Sequence, residues 1–157
     1  MADLTVLGRA AALGVAAGMR SLAAPAALSR HLAHDPVVPA NQAELLLAHP
    51  AAPGVLGIAS ALEHVADKLP FIPPRTDPGP LAGRIAAGAL CGFVLARRAG
   101  EPAVAGAVVG ALAAAAATFA AYELRHALTA DAGLPDLPVA LVEDFGAVAL
   151  AEAALRD

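Results

Sequence analysis

The sequence predicts an all-α protein, a polytopic transmembrane bundle of about five to six helices. Of its residues 59% are hydrophobic and 15% are charged, against roughly 45–50% and about 25% in soluble domains. Residues 103–122 carry no charge, and a run of about twenty such residues can cross a bilayer core. No apolar helix has the charged face of a soluble helix. The 157 residues suit one domain spanning 1–157.

Proline and glycine segments divide the chain into the predicted helices. The first covers residues 4–28, and Pro25 should kink or interrupt it. Asn41 can cap a short helix over 42–48. Four further helices are predicted over residues 55–68, 81–97, 103–122 and 139–155.

The segment 70–80, with five prolines, is the clearest linker and separates possible halves 1–70 and 81–157. The two halves echo each other: Arg9, Gly14, Gly18 and Glu63 parallel Arg84, Gly88, Gly92 and Glu143. With three helices per half, the second repeat would be inverted, as in many transporters. Chance repetition in an Ala/Gly-rich chain is the alternative interpretation.

Pairs of glycines four residues apart predict close helix contacts. This spacing lets two helix backbones approach each other within a membrane. The predicted packing residues are Gly14, Gly18, Gly88, Gly92, Gly106 and Gly110.

Charged residues inside apolar helices are the candidate functional site, for ion coupling or substrate binding. Each would cost about 2.5–3.5 kcal/mol at the membrane midplane if unpaired. They must therefore form interhelical salt bridges, line a polar path, or reach the interface. The excess of carboxylates over arginines favours proton or cation coupling over anion binding. The candidates are Arg20, Glu63, Asp67, Lys68, Arg84, Glu143 and Asp144.

Other chemistry finds little support in the residues. There is no basic stripe or aromatic platform for nucleic acid, no histidine or cysteine spacing typical of a metal site, and no motif for a cofactor or a catalytic triad. Cys91 is the only cysteine and is predicted to be a core residue. The balance favours a protein that is not an enzyme.

The arginines and the lysine do not predict an orientation. With each helix crossing the membrane, four lie on each side, and Arg84 is unassigned. One side would hold Arg9, Lys68, Arg75 and Arg125, and the other Arg30, Arg97, Arg98 and Arg156. This tie makes an antiparallel homodimer one interpretation.

Several short motifs together resemble a bacterial membrane family catalogued as domain of unknown function 4126. The resemblance covers nearly the whole chain and implies a small polytopic membrane protein, without supplying an activity. The residues that carry it are Gly14, Gly18-Met19-Arg20-Ser21, Leu62-Glu63, Asp67-Lys68-Leu69-Pro70, Arg75, Gly83-Arg84, Gly88 and Glu143-Asp144.

Three functions follow as hypotheses. The first is an ion-coupled transporter or channel with a buried arginine and carboxylate centre, and the second is a structural or accessory membrane protein whose charges are salt bridges. The third is a membrane-embedded enzyme acting on lipid head groups. The expected location is the inner (cytoplasmic) membrane, crossed several times, with membrane lipids, a small ion or solute, and other copies of the chain as partners.

Overall fold

The computed structural model describes residues 3–34, 38–66 and 75–156, and these ranges fold into helices without a strand, which confirms the all-α prediction. The helix Ala103–His126 continues directly into one π-helical turn, Ala127–Asp131. The helices are α1 (Leu4–Met19), α2 (Ala23–Ala33), α3 (Gln42–Leu47), α4 (Ala52–Ala66), α5 (Pro78–Arg98), α6 (Ala103–His126) and α7 (Asp136–Ala154).

The predicted first helix is in fact two helices with a break between them. Helix α1 ends at Met19, Arg20 is extended (φ −141°, ψ 115°), and α2 begins at Ala23. Pro25 lies in the first turn of α2, where a missing N–H costs little. The break therefore lies before the proline, which starts the second helix and does not kink the first.

The other helices lie close to where the sequence places them. The Asn41 cap of α3 is confirmed, because its side chain accepts the N–H of Glu44 at 3.0 Å. Helix α5 begins at Pro78, earlier than predicted, since proline suits the first turn of a helix. The predicted end of α4 at residue 68 and the linker up to residue 74 lie outside the described residues.

Glycines bring α1 and α5 into backbone contact with α6. A Cβ atom added at Gly14 or at Gly88 would meet the carbonyl oxygen of Gly110. The same holds for Gly18 with the Ala114 carbonyl, and for Gly92 with that of Gly106. Residue numbers thus rise together along α1 and α6 and in opposite directions along α5 and α6. Helix α6 lies parallel to α1 and antiparallel to α5.

The bundle has two ends, which we call end A and end B. End A holds the α5–α6 turn (residues 99–102), and end B holds the α6–α7 connection (residues 132–135). The C-terminal end of α7 lies at end A, because Arg9 Nε donates to the Ala154 carbonyl at 2.7 Å. Arg30 at the end of α2 pairs with Glu152 there as well. The α1–α2 hairpin therefore starts and finishes at end A.

The turn of this hairpin lies inside the bundle. Thr118 Oγ1 donates to the Gly18 carbonyl at 3.2 Å, eight residues before α6 ends at His126. A helix rises about 1.5 Å per residue, so the turn lies roughly 12 Å below the end of α6.

Around an apolar core, the bundle also buries several charged side chains and leaves many large apolar side chains exposed. Arg20, Glu44, Arg84 and Asp144 are buried, whereas large apolar side chains cover the outside of α6 and α7. These exposed side chains include Val104, Val108, Leu112, Phe119, Leu141, Val142 and Phe145.

Two of the described helices are long and apolar enough to cross a membrane, namely α5 and α6 with its π turn. By length and composition, the described residues thus support two membrane-spanning helices, fewer than the five to six helices of the predicted transmembrane bundle. The break leaves α1 and α2 with 16 and 11 residues, and α7 carries four acidic residues, Asp136, Glu143, Asp144 and Glu152.

Candidate functional site

The helix break brings Arg20 against Asp144 of α7. Arg20 Nε donates to Asp144 Oδ1 at 2.5 Å, and Nη2 contacts the same oxygen. The two side chains are 1% and 7% exposed. The first and last long helices are therefore joined by a buried ion pair.

Glu63 of α4 caps α2 from a neighbouring helix. Its carboxylate accepts the backbone N–H groups of Ser21 (2.9 Å) and Leu22 (3.1 Å), and also the Ser21 hydroxyl (2.5 Å). No side chain of α2 itself caps this terminus. A carboxylate here satisfies N–H groups that lack a helical partner and suits the positive end of the helix dipole. Arg84 Nη2 of α5 lies 3.7 Å from Glu63 Oε1.

Glu143 pairs in a different direction from its neighbour Asp144. Its carboxylate contacts Arg75 through two nitrogens, the Nη2 to Oε2 distance being 3.3 Å. Arg125 Nη1 lies 3.8 Å from Glu143 Oε2 and also donates from Nε and Nη2 to Asp136, at 2.8 and 2.7 Å. Adjacent residues on a helix point about 100° apart. Asp144 can therefore face Arg20 while Glu143 faces Arg75 and Arg125.

The predicted charges thus fall into two clusters. The inner cluster is Arg20, Ser21, Glu63, Arg84 and Asp144, and the outer cluster, nearer end B, is Arg75, Arg125, Asp136 and Glu143. Each has two arginines and two carboxylates. Asp67 and Lys68, also predicted, lie outside the described residues.

Four members of the two clusters were missed as site residues from the sequence: Ser21, Arg75, Arg125 and Asp136. The two arginines supply positive charge that the candidate list lacked, so that arginines and carboxylates are equal in number within the two clusters. A signal existed for three of them: Ser21 and Arg75 belong to the motifs of the resemblance, and Arg125 closes the longest apolar run.

An open apolar groove of about 500 Å³ lies beside the outer cluster. Arg125 and Glu143 stand on its wall, and Met19 at the end of α1 also lines it. Neither Arg20, Glu63 nor Asp144 is among its lining residues. The inner cluster is therefore closed off from this groove.

A further group of charges lies at end A and was not predicted. Glu44, with its side chain 3% exposed, accepts from the Ala40 N–H (3.0 Å) and from Asn41 Nδ2 (2.6 Å). Arg97 Nε and Arg98 Nε lie 3.3 and 3.7 Å from its two oxygens. The doublet at the end of α5 was the available signal. These side chains line an open cavity of about 460 Å³.

The described residues contain no group of three histidine, cysteine or acidic side chains placed to hold a metal ion. Cys91 of α5 is buried in the hydrophobic core of the bundle.

Residues 7–156 match the model of the family described as Domain of unknown function (DUF4126). The chain belongs to this family. No curated protein and no solved structure matches it. The predicted resemblance to DUF4126 is thereby confirmed, and its description supplies no activity.

The DUF4126 motifs named from the sequence meet at the helix break. Arg20 and Ser21 come from the first motif, Glu63 from the second, and Arg84 and Asp144 from the later ones. Motifs that are far apart in the chain thus form one cluster.

Proposed function

We propose that the chain is a multi-pass integral membrane protein in which the inner cluster locks the α1–α2 hairpin inside the bundle. The observation that carries this is a set of paired, buried charges beneath an apolar exterior. Such a protein would expose unfavourable apolar surface in water. In a bilayer the same surface meets lipid.

In this arrangement α5 and α6 cross the bilayer, while the α1–α2 hairpin enters and leaves on one side. Non-helical backbone is tolerated at membrane depth only where protein or a water-filled cavity surrounds it. The break meets this requirement, since Arg20 is fully buried and Glu63 takes up the N–H groups of Ser21 and Leu22.

The hairpin also changes the count of positive charges. Arg9 now lies on the same side as the ends of α2, α5 and α7. End A holds Arg9, Arg30, Arg97, Arg98 and Arg156, end B holds Arg75 and Arg125, and Lys68 lies outside the described residues. Loops and helix ends that carry an excess of arginine and lysine usually lie on the cytoplasmic side of a membrane. We therefore orient end A toward the cytoplasm of an inner membrane. In this arrangement the positive residues are no longer equal in number on the two sides, so their count does not favour an antiparallel dimer.

The role that the geometry supports best is structural. Every charge of the inner cluster has a partner from another helix, so these ion pairs fix helices α1, α2, α4, α5 and α7 in register. Removing one partner of a buried pair typically costs about 3–5 kcal/mol. The bundle would thus depend on these charges for its assembly.

Ion-coupled transport is the second candidate, favoured by the helix break. Transporters commonly place substrate and ion sites at broken helices, with a helix N-terminus facing an anionic group. Here Glu63 occupies that position at α2. An enzyme acting on lipid head groups would work at the groove beside Arg125 and Glu143, and it stays a prediction.

Membrane insertion and orientation can be tested together. The chain should remain in the membrane pellet after alkaline carbonate washing. With Cys91 replaced by alanine, a cysteine at exposed His31 (end A) should react with an impermeant maleimide only after the cells are opened, and one at Ala132 (end B) in intact cells. Release by carbonate would refute the membrane proposal, and the reverse labelling pattern would refute the orientation.

Glu63→Gln separates the two functional candidates, with Glu152→Gln as control because Glu152 belongs to a half-exposed pair. Under the structural proposal, Glu63→Gln lowers the monodisperse yield in detergent, and liposomes with wild-type protein take up protons no faster than empty ones. A wild-type proton flux that Glu63→Gln abolishes, at unchanged yield, would overturn the structural proposal in favour of transport.

A further inference from the structure

We propose that Arg97, Arg98 and the first turn of α6 form a binding site for a phosphate group at end A. This inference rests on the proposed membrane location, which puts the α5–α6 turn at the bilayer surface, where lipid phosphates lie. It concerns residues outside both the inner and the outer cluster.

The site is an open cavity of about 460 Å³ at the α5–α6 turn, lined by both charged and apolar residues. That volume falls within the range of roughly 300–1,000 Å³ found for small-molecule pockets. Its wall includes both arginines, Glu44, Glu101 and Ala103. The cavity therefore places two guanidinium groups next to the start of the longest helix.

Glu44 positions the two guanidinium groups. Its buried carboxylate contacts the Nε atom of each arginine, while the backbone of Ala40 and the side chain of Asn41 hold the carboxylate in place. Within the described part of the chain, Glu44 is the ion-pair partner of Arg97, and the Arg97 side chain is 45% exposed. The terminal nitrogens of Arg97 can thus donate to a ligand. Guanidinium is well matched to phosphate, which it can bind through two hydrogen bonds.

The start of α6 adds partial positive charge. Pro102 occupies the N-cap position without a side-chain hydrogen bond, and the intrahelical bonds begin with the N–H groups of Ala105 and Gly106. The N–H groups of Ala103 and Val104 precede them and have no acceptor within the helix. Together with the helix dipole, these groups favour an anion.

The charge balance favours a lipid phosphate over a phosphate ion in solution. Glu44 and Glu101 line the same cavity and offset the two arginines. A dissolved anion is therefore attracted only weakly. A lipid head group is held at the membrane surface, so its effective concentration beside the site is high.

The test measures binding to the full chain in dodecyl maltoside, with dihexanoyl phosphatidylglycerol and inorganic phosphate as separate probes in isothermal titrations. We expect phosphatidylglycerol to bind and Arg97→Gln to weaken that binding about tenfold, the loss typical of one charge-assisted hydrogen bond. Arg98→Gln should act in the same direction. Arg30→Gln is the matched control, since Arg30 lies at the same end but pairs with Glu152.

Binding of both probes, each weakened by Arg97→Gln, supports a general phosphate site, and binding of the lipid alone supports a head-group site. Wild-type affinity in a folded Arg97→Gln protein, or equal loss in Arg30→Gln, overturns the inference. The membrane proposal can fail separately. If the chain is soluble without detergent yet binds phosphate through Arg97, the phosphate site is supported and the membrane location is refuted.

Discussion

Asp144→Asn is the most direct test of the buried ion pair. It removes the carboxylate charge that pairs with Arg20, whose side chain is 1% exposed. Breaking such a pair costs about 3–5 kcal/mol of unfolding free energy, and the low end applies because an amide oxygen can still accept one hydrogen bond. We expect a loss of about 3 kcal/mol.

Glu152→Gln is the matched control on the same helix. Its pair with Arg30 has side chains 41% and 43% exposed, and pairs of this kind contribute at most about 1 kcal/mol. The unfolding free energy of both variants can be measured in mixed micelles by titration with sodium dodecyl sulfate, following helical circular dichroism. The two losses should differ by about 2 kcal/mol.

A double variant separates the desolvation of Arg20 from simple loss of packing. Arg20→Met combined with Asp144→Leu removes both charges at similar volume and should recover most of the stability lost in Asp144→Asn. The reasoning is refuted if Asp144→Asn costs no more than Glu152→Gln, or if the double variant is less stable than the single one.

Four further substitutions test packing, capping and hydrogen-bond contacts by the same unfolding measurement. Gly92→Ala should cost about 1–3 kcal/mol because its methyl group meets a carbonyl of α6, whereas Gly83→Ala on the same helix meets open space and should stabilise by up to about 1 kcal/mol; equal effects would contradict this packing. Glu63→Gln should cost about 2 kcal/mol because it removes the carboxylate charge that caps α2 and faces the buried Arg84. Unchanged stability would contradict the capping role. Ser29→Ala should cost about 1 kcal/mol, since its hydroxyl donates to the Leu47 carbonyl at 2.7 Å in a buried site; no loss would show that this bond adds nothing.

The all-α fold could be predicted because its signals are local. Long apolar runs, the Asn41 cap and the prolines that begin α5 and α2 all act within a few residues of the helix ends they set. The exact position of the break has no such signal, because Pro25 predicts an interruption but not that α1 ends at Met19. Leu22 is a poor N-cap, and the groups that satisfy this terminus come from Glu63, about forty residues further along the chain.

The candidate site could be predicted in part for a similar reason. Arg20, Glu63 and Asp144 are conspicuous as charges within apolar helices. Arg75 and Arg125 are not, because a linker arginine and a helix-end arginine are usually solvated. Only the three-dimensional contacts with Glu143 reveal that they complete a second cluster.

In the proposed membrane arrangement, the link between α1 and α7 would also order events during synthesis. Arg20 leaves the ribosome 124 positions before the Asp144 that neutralises it, by which time α5 and α6 are complete. Because the hairpin starts and finishes at end A, the proposed arrangement would let it stay at the membrane surface and enter last. A cysteine at Ser21 should accordingly stay open to labelling in a chain ended after residue 131 and become protected in the full chain; protection in both would exclude this order. The first helices to be made would then be the last to reach their final depth.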